Sequence, residues 1–498
     1  MNTPPAEGDG LSLEIESLNS SAEGVGRYDG LAVFVPGALP GDSVRASVVK
    51  KTKHFARARL DRLDRPSPDR LSARCPHHIA PNASGTFPEE RSCGGCLLQT
   101  YDRALQLEAK RRTVADTLSR IGGFSVEVSP TRGGNPWRYR NKMAFVLAER
   151  GGELAWGLRS LEDGGIAVPL STCEIAREEI WSAGEKILER LNERFDPSLA
   201  WDGEKGFIRA AALRFHTGLS EGVNPPLTLA RTRPTSTAVF AVTEQDAALA
   251  ERIAETLEDI QDQRVFFTYS DPRTTGVFFD RGRFLNRPEG RPPKWGEGKF
   301  REEICAWHQV GPWPAVVGPT TFLQVNDEMA EALYRRVLEL PFESNGFAVD
   351  TYCGVGILTR ALADRFEETV GVELDTQSIK LARAASRRLD DRRVEWIAEP
   401  AESLFGRSGE FFRERGRTPD LVVLDPPRKG CQKAVLGTLV QLRPKDLVYI
   451  GCHPAALARD LAILCKRAFE IVSVEPFDLF PQTHHVETLV HLKATGPP

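Results

Sequence analysis

From Val316 onward the chain alternates short apolar runs with helical stretches. TTFLQVNDEMAEALYRRVLEL reads as a strand end, a helix cap at Asn326 and a helix with Met329, Leu333, Val337 and Leu340 on one face. After it come GFAVDTYCGVG, an Ala-rich helix, ETVGVELD, the helix SIKLARAASRRL, RVEWIAE, DLVVLDPPRKG, another helix and DLVYIGC. Strands that are almost wholly apolar must be covered on both faces. The pattern therefore predicts a parallel, doubly wound α/β sheet over residues 312–498. Sheets of this kind bind ligands at the carboxyl ends of their strands.

The polar signals of this half sit at those ends. Asp350-Thr-Tyr-Cys-Gly354-Val-Gly356 closes the first strand in a glycine turn, where backbone can approach a ligand and a helix N-terminus faces it. Glu373 ends the second strand, 23 residues beyond Asp350, the place for a carboxylate gripping ribose hydroxyls. The bland alternative is a tight turn and a surface acid. The D-x-x-C-G-x-G spacing fits S-adenosylmethionine better than a dinucleotide, so the domain reads as a Rossmann-like methyltransferase unit. Asp425-Pro-Pro-Arg428 ends a later strand. Enzymes that methylate amino groups usually place an aromatic ring after the two prolines; Arg428 in its place points to a carbon acceptor.

Carbon needs more help than nitrogen. C5 of uracil becomes nucleophilic only after a thiolate adds to C6, and the C5 proton must then leave. Cys452, at the end of DLVYIGC, and Glu487, in DLFPQTHHVETLVHL, are the pair best placed to supply thiolate and base. A buried strand-end cysteine and a surface acid are the ordinary readings of each alone.

The front of the chain differs. Residues 1–10 read as a disordered tail. LSLEIESL, a Gly-rich turn AEGVGRYDG, LAVFVPG, DSVRASVVKK and FARARLDRL predict a small OB-like β-barrel over 11–66. Nine Lys/Arg against three Asp/Glu fall between Arg45 and Arg70, although the whole chain of 498 residues carries a net charge of only −4. Lys50, Lys51, Lys53 and Arg57 give the barrel a basic face suited to single-stranded nucleic acid, or simply a solvated one. A Pro-rich hinge, RPSPDRLSARCP, follows. Residues 67–311 then read as a central α+β domain with a helix at 104–121 and a basic strand, WRYRNKMAFVLAER. In that strand Arg138, Arg140 and Lys142 are candidate phosphate contacts. SEGVNPPLT and PEGRPPKWGEGK read as exposed excursions.

Of nine cysteines, Cys75, Cys93, Cys96 and Cys173 suit a tetrahedral cluster or metal site, with a redox pair or no function as alternatives. MNTPPAEGDG lacks the features of a signal peptide and no apolar run reaches membrane-spanning length, so a cytoplasmic protein with no membrane partner is expected. Nothing in the sequence sets an oligomeric state.

GVGRYDGLAVFVPGALPGD resembles the TRAM domain, an RNA-binding barrel. LDPPRKG, the strand-end Cys-x-Pro followed by LARDL, FPQTHHVETL and FLQVN resemble the RNA uracil-C5 methyltransferase family. The resemblance implies that Gln324, Tyr352, Gly354, Glu373 and Asp425 hold S-adenosylmethionine, that Cys452 is the nucleophile and that Glu487 is the base. A subgroup of the family has a four-cysteine [4Fe–4S] site containing CGGC. That likeness implies a cluster on Cys75, Cys93, Cys96 and Cys173, although seventeen residues separate Cys75 from Cys93, more than the family's usual interval. It also favours ribosomal over transfer RNA as the partner, by association. His453 stands where the family commonly has Asn, and so does Ile357. Cytosine-C5 methylation is the nearest alternative, disfavoured by HHVET and by the missing Pro-Cys motif. A non-catalytic iron–sulfur RNA-binding protein is the alternative of another class.

Overall fold

The computed structural model describes residues 5–87, 92–161, 167–220, 232–244, 246–270, 283–286, 294–297, 305–389, 391, 393–406 and 410–496. The excursions expected at 221–228 and 288–293 lie outside these residues; Lys294–Glu297 is a strand.

Six strands form the N-terminal barrel, in the order Gly10–Glu14, Ser43–Lys51, Phe55–Arg65, Leu31–Pro36, Glu23–Tyr28, Ser17–Leu18. Alternate residues such as Val33, Val35, Val44, Ala46, Ala56 and Ala58 fill its core. The stretch expected as a Gly-rich turn is largely a strand, with the turn confined to Asp29-Gly30. Its glycines allow close packing: a Cβ on Gly24 would lie 2.7 Å from the Ala38 carbonyl oxygen. The expected disordered tail is also corrected in part. The Gly8 N–H donates to Val48 O (2.8 Å), and the first strand begins at Gly10. The expected hinge is pinned to the barrel, because Arg70 pairs with the buried Asp42 and donates to Gly37 O at 2.9 Å.

The central sheet runs in the order Ala167–Pro169, Glu153–Arg159, Lys142–Arg150, Ile208–His216, Thr235–Val242, Gln263–Tyr269, Arg283–Asn286, Lys294–Glu297. Helices Glu178–Asn192 and Ala247–Thr256 cover one face of it through Ile180, Ile187, Ile253 and Ala254.

The third sheet has the order Val394–Ile397, Glu368–Val372, Phe347–Thr351, Leu421–Leu424, Asp446–Gly451, Glu487–Ala494, Phe469–Asp478, Arg132–Gly133. The first five strands are parallel, as the sequence pattern predicts. Glu487–Ala494 then inserts antiparallel beside Asp446–Gly451. Two segments counted with the central region belong here by packing. Helix Arg103–Gly122 buries Val114 and Leu118 in the same core as Leu457 and Leu461. The hairpin Ala306–Val310/Trp313–Val317, whose turn holds the expected boundary at 312, buries Val310, Ala315 and Val317 against the helix Asp327–Glu339. Asn326 caps that helix, its side chain accepting the Met329 N–H at 3.2 Å.

Candidate active site

The Phe347–Thr351 strand ends at the centre of the third sheet, and the chain there turns sharply. Tyr352 takes φ 63°, a left-handed conformation unusual for an aromatic residue, and Gly354 (56°) and Gly356 (80°) follow. Gly356 is required by space as well, since a Cβ there would collide with the Trp396 ring. A pocket opens at this turn. Phe322, Leu323, Gln324, Tyr334, Asp350, Tyr352, Gly354, Ile357 and Asp425 are among the residues that line it. Glu373, at the neighbouring strand end, accepts the Gly354 N–H (3.1 Å) and the Asp375 N–H (2.9 Å), which fixes its carboxylate at the rim.

All five residues expected to hold a cofactor therefore meet at one place. Three further lining groups were absent from that set: Asp350, Tyr334 and Phe322. Phe322 is 67% exposed, and its signal was an aromatic at the start of FLQVN. Burial, together with Asp425 and Glu373, pushes the Asp350 carboxyl up to about 7 against the bond it accepts from Thr359 Oγ1 (2.6 Å). Burial and then Glu373 push Asp425 up to about 7. Buried acids crowded in this way favour a cationic ligand. Ile357 lends the pocket an apolar wall.

Cys452 follows the Asp446–Gly451 strand and precedes the helix Pro454–Cys465. His453 caps this helix, its Nδ1 accepting the Ala456 N–H at 3.3 Å, so the imidazole does work that an Asn side chain also does at a cap. The last register pair between the adjacent strands is Gly451 with Thr488, so Cys452 and Glu487 are the next opposed positions. Burial, then Glu487 and Asp425, push the Cys452 thiol up to about 12, while Arg428 draws it down. Glu487 is 3% exposed, with Oε2 unpartnered. Burial and then Asp425 hold its carboxyl well above the usual range, opposed by Arg428. Thiol, carboxyl and guanidinium are thus one electrostatic unit.

The loop 479–486, which delivers Glu487, is tied down from distant parts of the chain. Asp478 is fully buried and pairs with Lys110 and Arg103. The Lys110 ammonium also donates to the carbonyls of Phe480 (3.1 Å) and His485 (2.7 Å), spanning the loop. Leu98 N–H donates to Gln482 O (2.9 Å), Tyr139 Oη to Pro481 O (3.1 Å), and Gln106 Nε2 to Gln482 Oε1 (3.0 Å). Arg428 reaches His485 Nδ1 at 3.1 Å. Sequence reading passed over Lys110, Arg103 and Gln106, because their partners lie more than three hundred residues away.

The four expected cluster cysteines lie near enough for their charges to influence one another. The Cys96 thiol is raised by burial and then by Cys173, Cys93 and Cys75. Cys75, despite its long spacing, is coupled to Cys173. Among the described residues, no three His, Cys, Asp or Glu side chains close around a single ion. The expected cluster on Cys75, Cys93, Cys96 and Cys173 is therefore not seen as a closed ligand set among the described residues.

Lys50, Lys51, Lys53 and Arg57 are exposed on the barrel, and Arg57 pairs with Glu23 at 2.7 Å. The candidate phosphate contacts Arg138, Arg140 and Lys142 are each half-buried. Arg138 is spent on the carbonyls of Cys173 (3.0 Å) and Ala176 (3.4 Å). Lys142 is half-buried, and burial, then Arg214 and Arg140, push it down to about 7. No described helix is long and apolar enough to cross a membrane.

Residues 318–495 match the family model described as tRNA (Uracil-5-)-methyltransferase, and residues 6–60 match the TRAM domain. An uncharacterised RNA methyltransferase of Halalkalibacterium halodurans is 31% identical over 497 residues, 98% of each chain. One from Listeria monocytogenes is 31% identical over 489 residues, 97% of each. Among solved structures, the Pyrococcus abyssi tRNA (uracil-54, C5)-methyltransferase in complex with S-adenosyl-L-homocysteine shares the fold. It has a TM-score of 0.68 and 22% identity, over 97% of this chain and 100% of that one.

Proposed function

Because this chain belongs to the RNA uracil-C5 methyltransferase family and is an S-adenosylmethionine-dependent enzyme of that class, we propose that it makes 5-methyluridine in RNA through a covalent adduct on Cys452. The observation that carries the reading is the opposition of Cys452 and Glu487 across two adjacent strand ends, with Asp425 and Arg428 beside both.

Gln324, Tyr352, Gly354, Glu373 and Asp425 would hold the cofactor, which supplies an electrophilic methyl group when bound. Arg428 favours ionisation of Cys452, whose proton goes to solvent. The thiolate adds to C6 of the uracil, and the electron pair moves through C5 to the O4 carbonyl as an enolate. C5 then takes the methyl group. Glu487, once its own proton has passed to solvent with Arg428 favouring the carboxylate, removes the C5 proton, C5–C6 becomes a double bond again, and the Cys452–C6 bond breaks to restore the thiolate. A base buried in apolar surroundings holds the proton it receives more firmly than one in water. The uridine must leave its stack for this geometry, so a loop or flipped base is the expected substrate.

Ribosomal RNA is our preferred target. It rests on the convergence of Cys75, Cys93, Cys96 and Cys173 and on the association of such clusters with ribosomal substrates. The same convergence supports a [4Fe–4S] cluster with a structural role, since Leu98, two residues beyond Cys96, holds the loop that carries Glu487. Anaerobic purification followed by iron and sulfide analysis tests the cluster; protein with full activity and no iron would overturn it.

Incubation with labelled S-adenosylmethionine and ribosomal or transfer RNA, followed by digestion to nucleosides, tests the reaction. We expect label in 5-methyluridine, from ribosomal RNA. Label only in transfer RNA would reassign the target, and label in another nucleoside would overturn the chemistry.

A further inference from the structure

We propose that Asp460 and Arg459 are positioning residues for the reaction. They latch the exposed turn that carries Arg428 onto the helix that begins beside Cys452, and so keep the guanidinium next to the nucleophile. The proposal rests on the reading of Cys452 as nucleophile and adds to it the residues that hold its activating cation.

The strand Leu421–Leu424 runs into Asp425-Pro-Pro, and the two prolines carry no N–H with which to pin the chain. Pro427, Arg428 and Lys429 are exposed. Within the turn, the Gly430 N–H donates to Pro427 O (2.8 Å). A long side chain on such a turn keeps a fixed place only if something outside the turn holds it.

Asp460 and Arg459 do so. Asp460 is fully buried on the helix Pro454–Cys465, roughly two turns beyond Cys452. Its Oδ2 accepts the Cys431 N–H (2.7 Å) and Tyr449 Oη (2.7 Å). Its Oδ1 accepts Arg459 Nε (2.9 Å) and Nη2 (2.7 Å), and the same Nη2 donates to Lys429 O at 2.7 Å. The residues on both sides of Gly430 are thus tied to one carboxylate–guanidinium pair. Neighbouring positions on a helix do not ordinarily face each other, and here both side chains turn to the same loop. Gly430 shows how closely the turn is held. Its φ is 78°, and a Cβ there would lie 2.5 Å from Arg459 Nη2 and 2.5 Å from Asp460 Oδ2.

The latch fixes the nucleophile and its cation relative to each other. Tyr449 lies on the strand Asp446–Gly451 that ends before Cys452, and Asp460 on the helix that follows it. Cys452 is therefore flanked on both sides by elements bonded through the Asp460 carboxylate. On the far side of the turn, Arg428 Nη2 meets His485 Nδ1 (3.1 Å), two residues before Glu487. Arg428 lowers both the Cys452 thiol and the Glu487 carboxyl against their burial. An exposed cation acts in this way only at short range, since salt screens it over about 8 Å. Its effect depends on where the turn is held.

The test is a double-mutant cycle on thiol reactivity, which needs neither RNA nor cofactor. Iodoacetamide labelling of the Cys452 peptide is measured at one pH for wild type, Arg459→Met, Arg428→Met and the double variant. Arg459→Met should slow labelling about two- to tenfold more in the wild-type background than in Arg428→Met, the scale of displacing a nearby cation. A change in access to the thiol, or a direct effect of the Arg459 charge, appears in both backgrounds and cancels. Arg459→Lys, which keeps a cationic donor for Lys429 O and Asp460, should restore the wild-type rate. Thermal melts report folding. Where Arg459→Met fails to melt cooperatively, Gly430→Ala, which pushes the turn off the pair by steric contact alone, is read in its place. An equal effect in both backgrounds, in folded protein, would overturn the latch. Failure of the methylation reading shows itself separately, as wild-type protein that forms no 5-methyluridine.

Discussion

Cys452 and Glu487 stand one step beyond the Gly451–Thr488 register pair, at the matched ends of two antiparallel strands. Opposed positions at such a place bring side chains within a few ångströms, so the pair can work on adjacent carbons of one ring. The acid raises the thiol, and the neighbouring Arg428 draws both toward ionisation.

Separating the two roles is the first prediction. Cys452→Ala should abolish methyl transfer while S-adenosylhomocysteine binding by calorimetry stays unchanged. Glu487→Gln should still add and methylate but fail to eliminate, so a denaturant-resistant protein–RNA band should accumulate. Its turnover should fall about 10²- to 10⁴-fold. A Glu487→Gln enzyme that turns over normally would remove the acid from the mechanism.

The thiol itself has a pH signature. With Cys452 pushed up to about 12, its thiolate fraction should rise about tenfold per pH unit between roughly 7 and 10. Iodoacetamide labelling of the Cys452 peptide, followed by mass spectrometry, reads this. Arg428 lowers the thiol, so Arg428→Met should slow labelling at any fixed pH. Faster labelling in that variant would refute the electrostatic assignment.

Cofactor affinity should depend on pH through Asp350 and Asp425, both near 7. A bound sulfonium favours their ionised forms, lowers both values and releases protons. Affinity for S-adenosylmethionine should therefore strengthen as pH rises from about 6 to 8, by at most about tenfold per unit for each proton released. S-adenosylhomocysteine, with a neutral sulfur, should respond less. Calorimetry in buffers of different ionisation enthalpy counts the protons directly, and equal pH dependence for the two ligands would contradict the assignment.

Lys110 should act on catalysis from a distance. Lys110→Met removes the donor that spans Phe480 and His485 and leaves Asp478 with Arg103 alone. Stability should drop by about 1–3 kcal/mol in denaturant melts. The single-turnover methylation rate should fall at least tenfold while cofactor affinity holds. Loss of stability with an unchanged rate would make Lys110 structural only.

Much of this molecule follows from local pattern. A parallel sheet buried on both faces needs apolar strands spaced by helices, and that alternation is visible from Val349 to Ile450. The strand-end residues Tyr352, Gly354, Glu373 and Asp425 were legible for the same reason, since chain polarity alone puts them at one edge. Other features depend on contacts across the chain. AEGVGRYDG looked like a turn because its glycines serve a close approach to Ala38, which no local rule reveals. Helix Arg103–Gly122 joined the third sheet because its apolar stripe fits Leu457 and Leu461. Lys142 read as a candidate phosphate contact, and only strand pairing shows that it stands beside Arg214.

The sequence by itself determined the sheet, its polarity and the kinds of group at its edge, because hydrophobic periodicity and glycine turns act over a few residues. Tertiary structure alone decided that Glu487 enters opposite Cys452. Strand order and register are set by long-range burial, and a one-residue slip would have turned that carboxylate to the other face of the sheet.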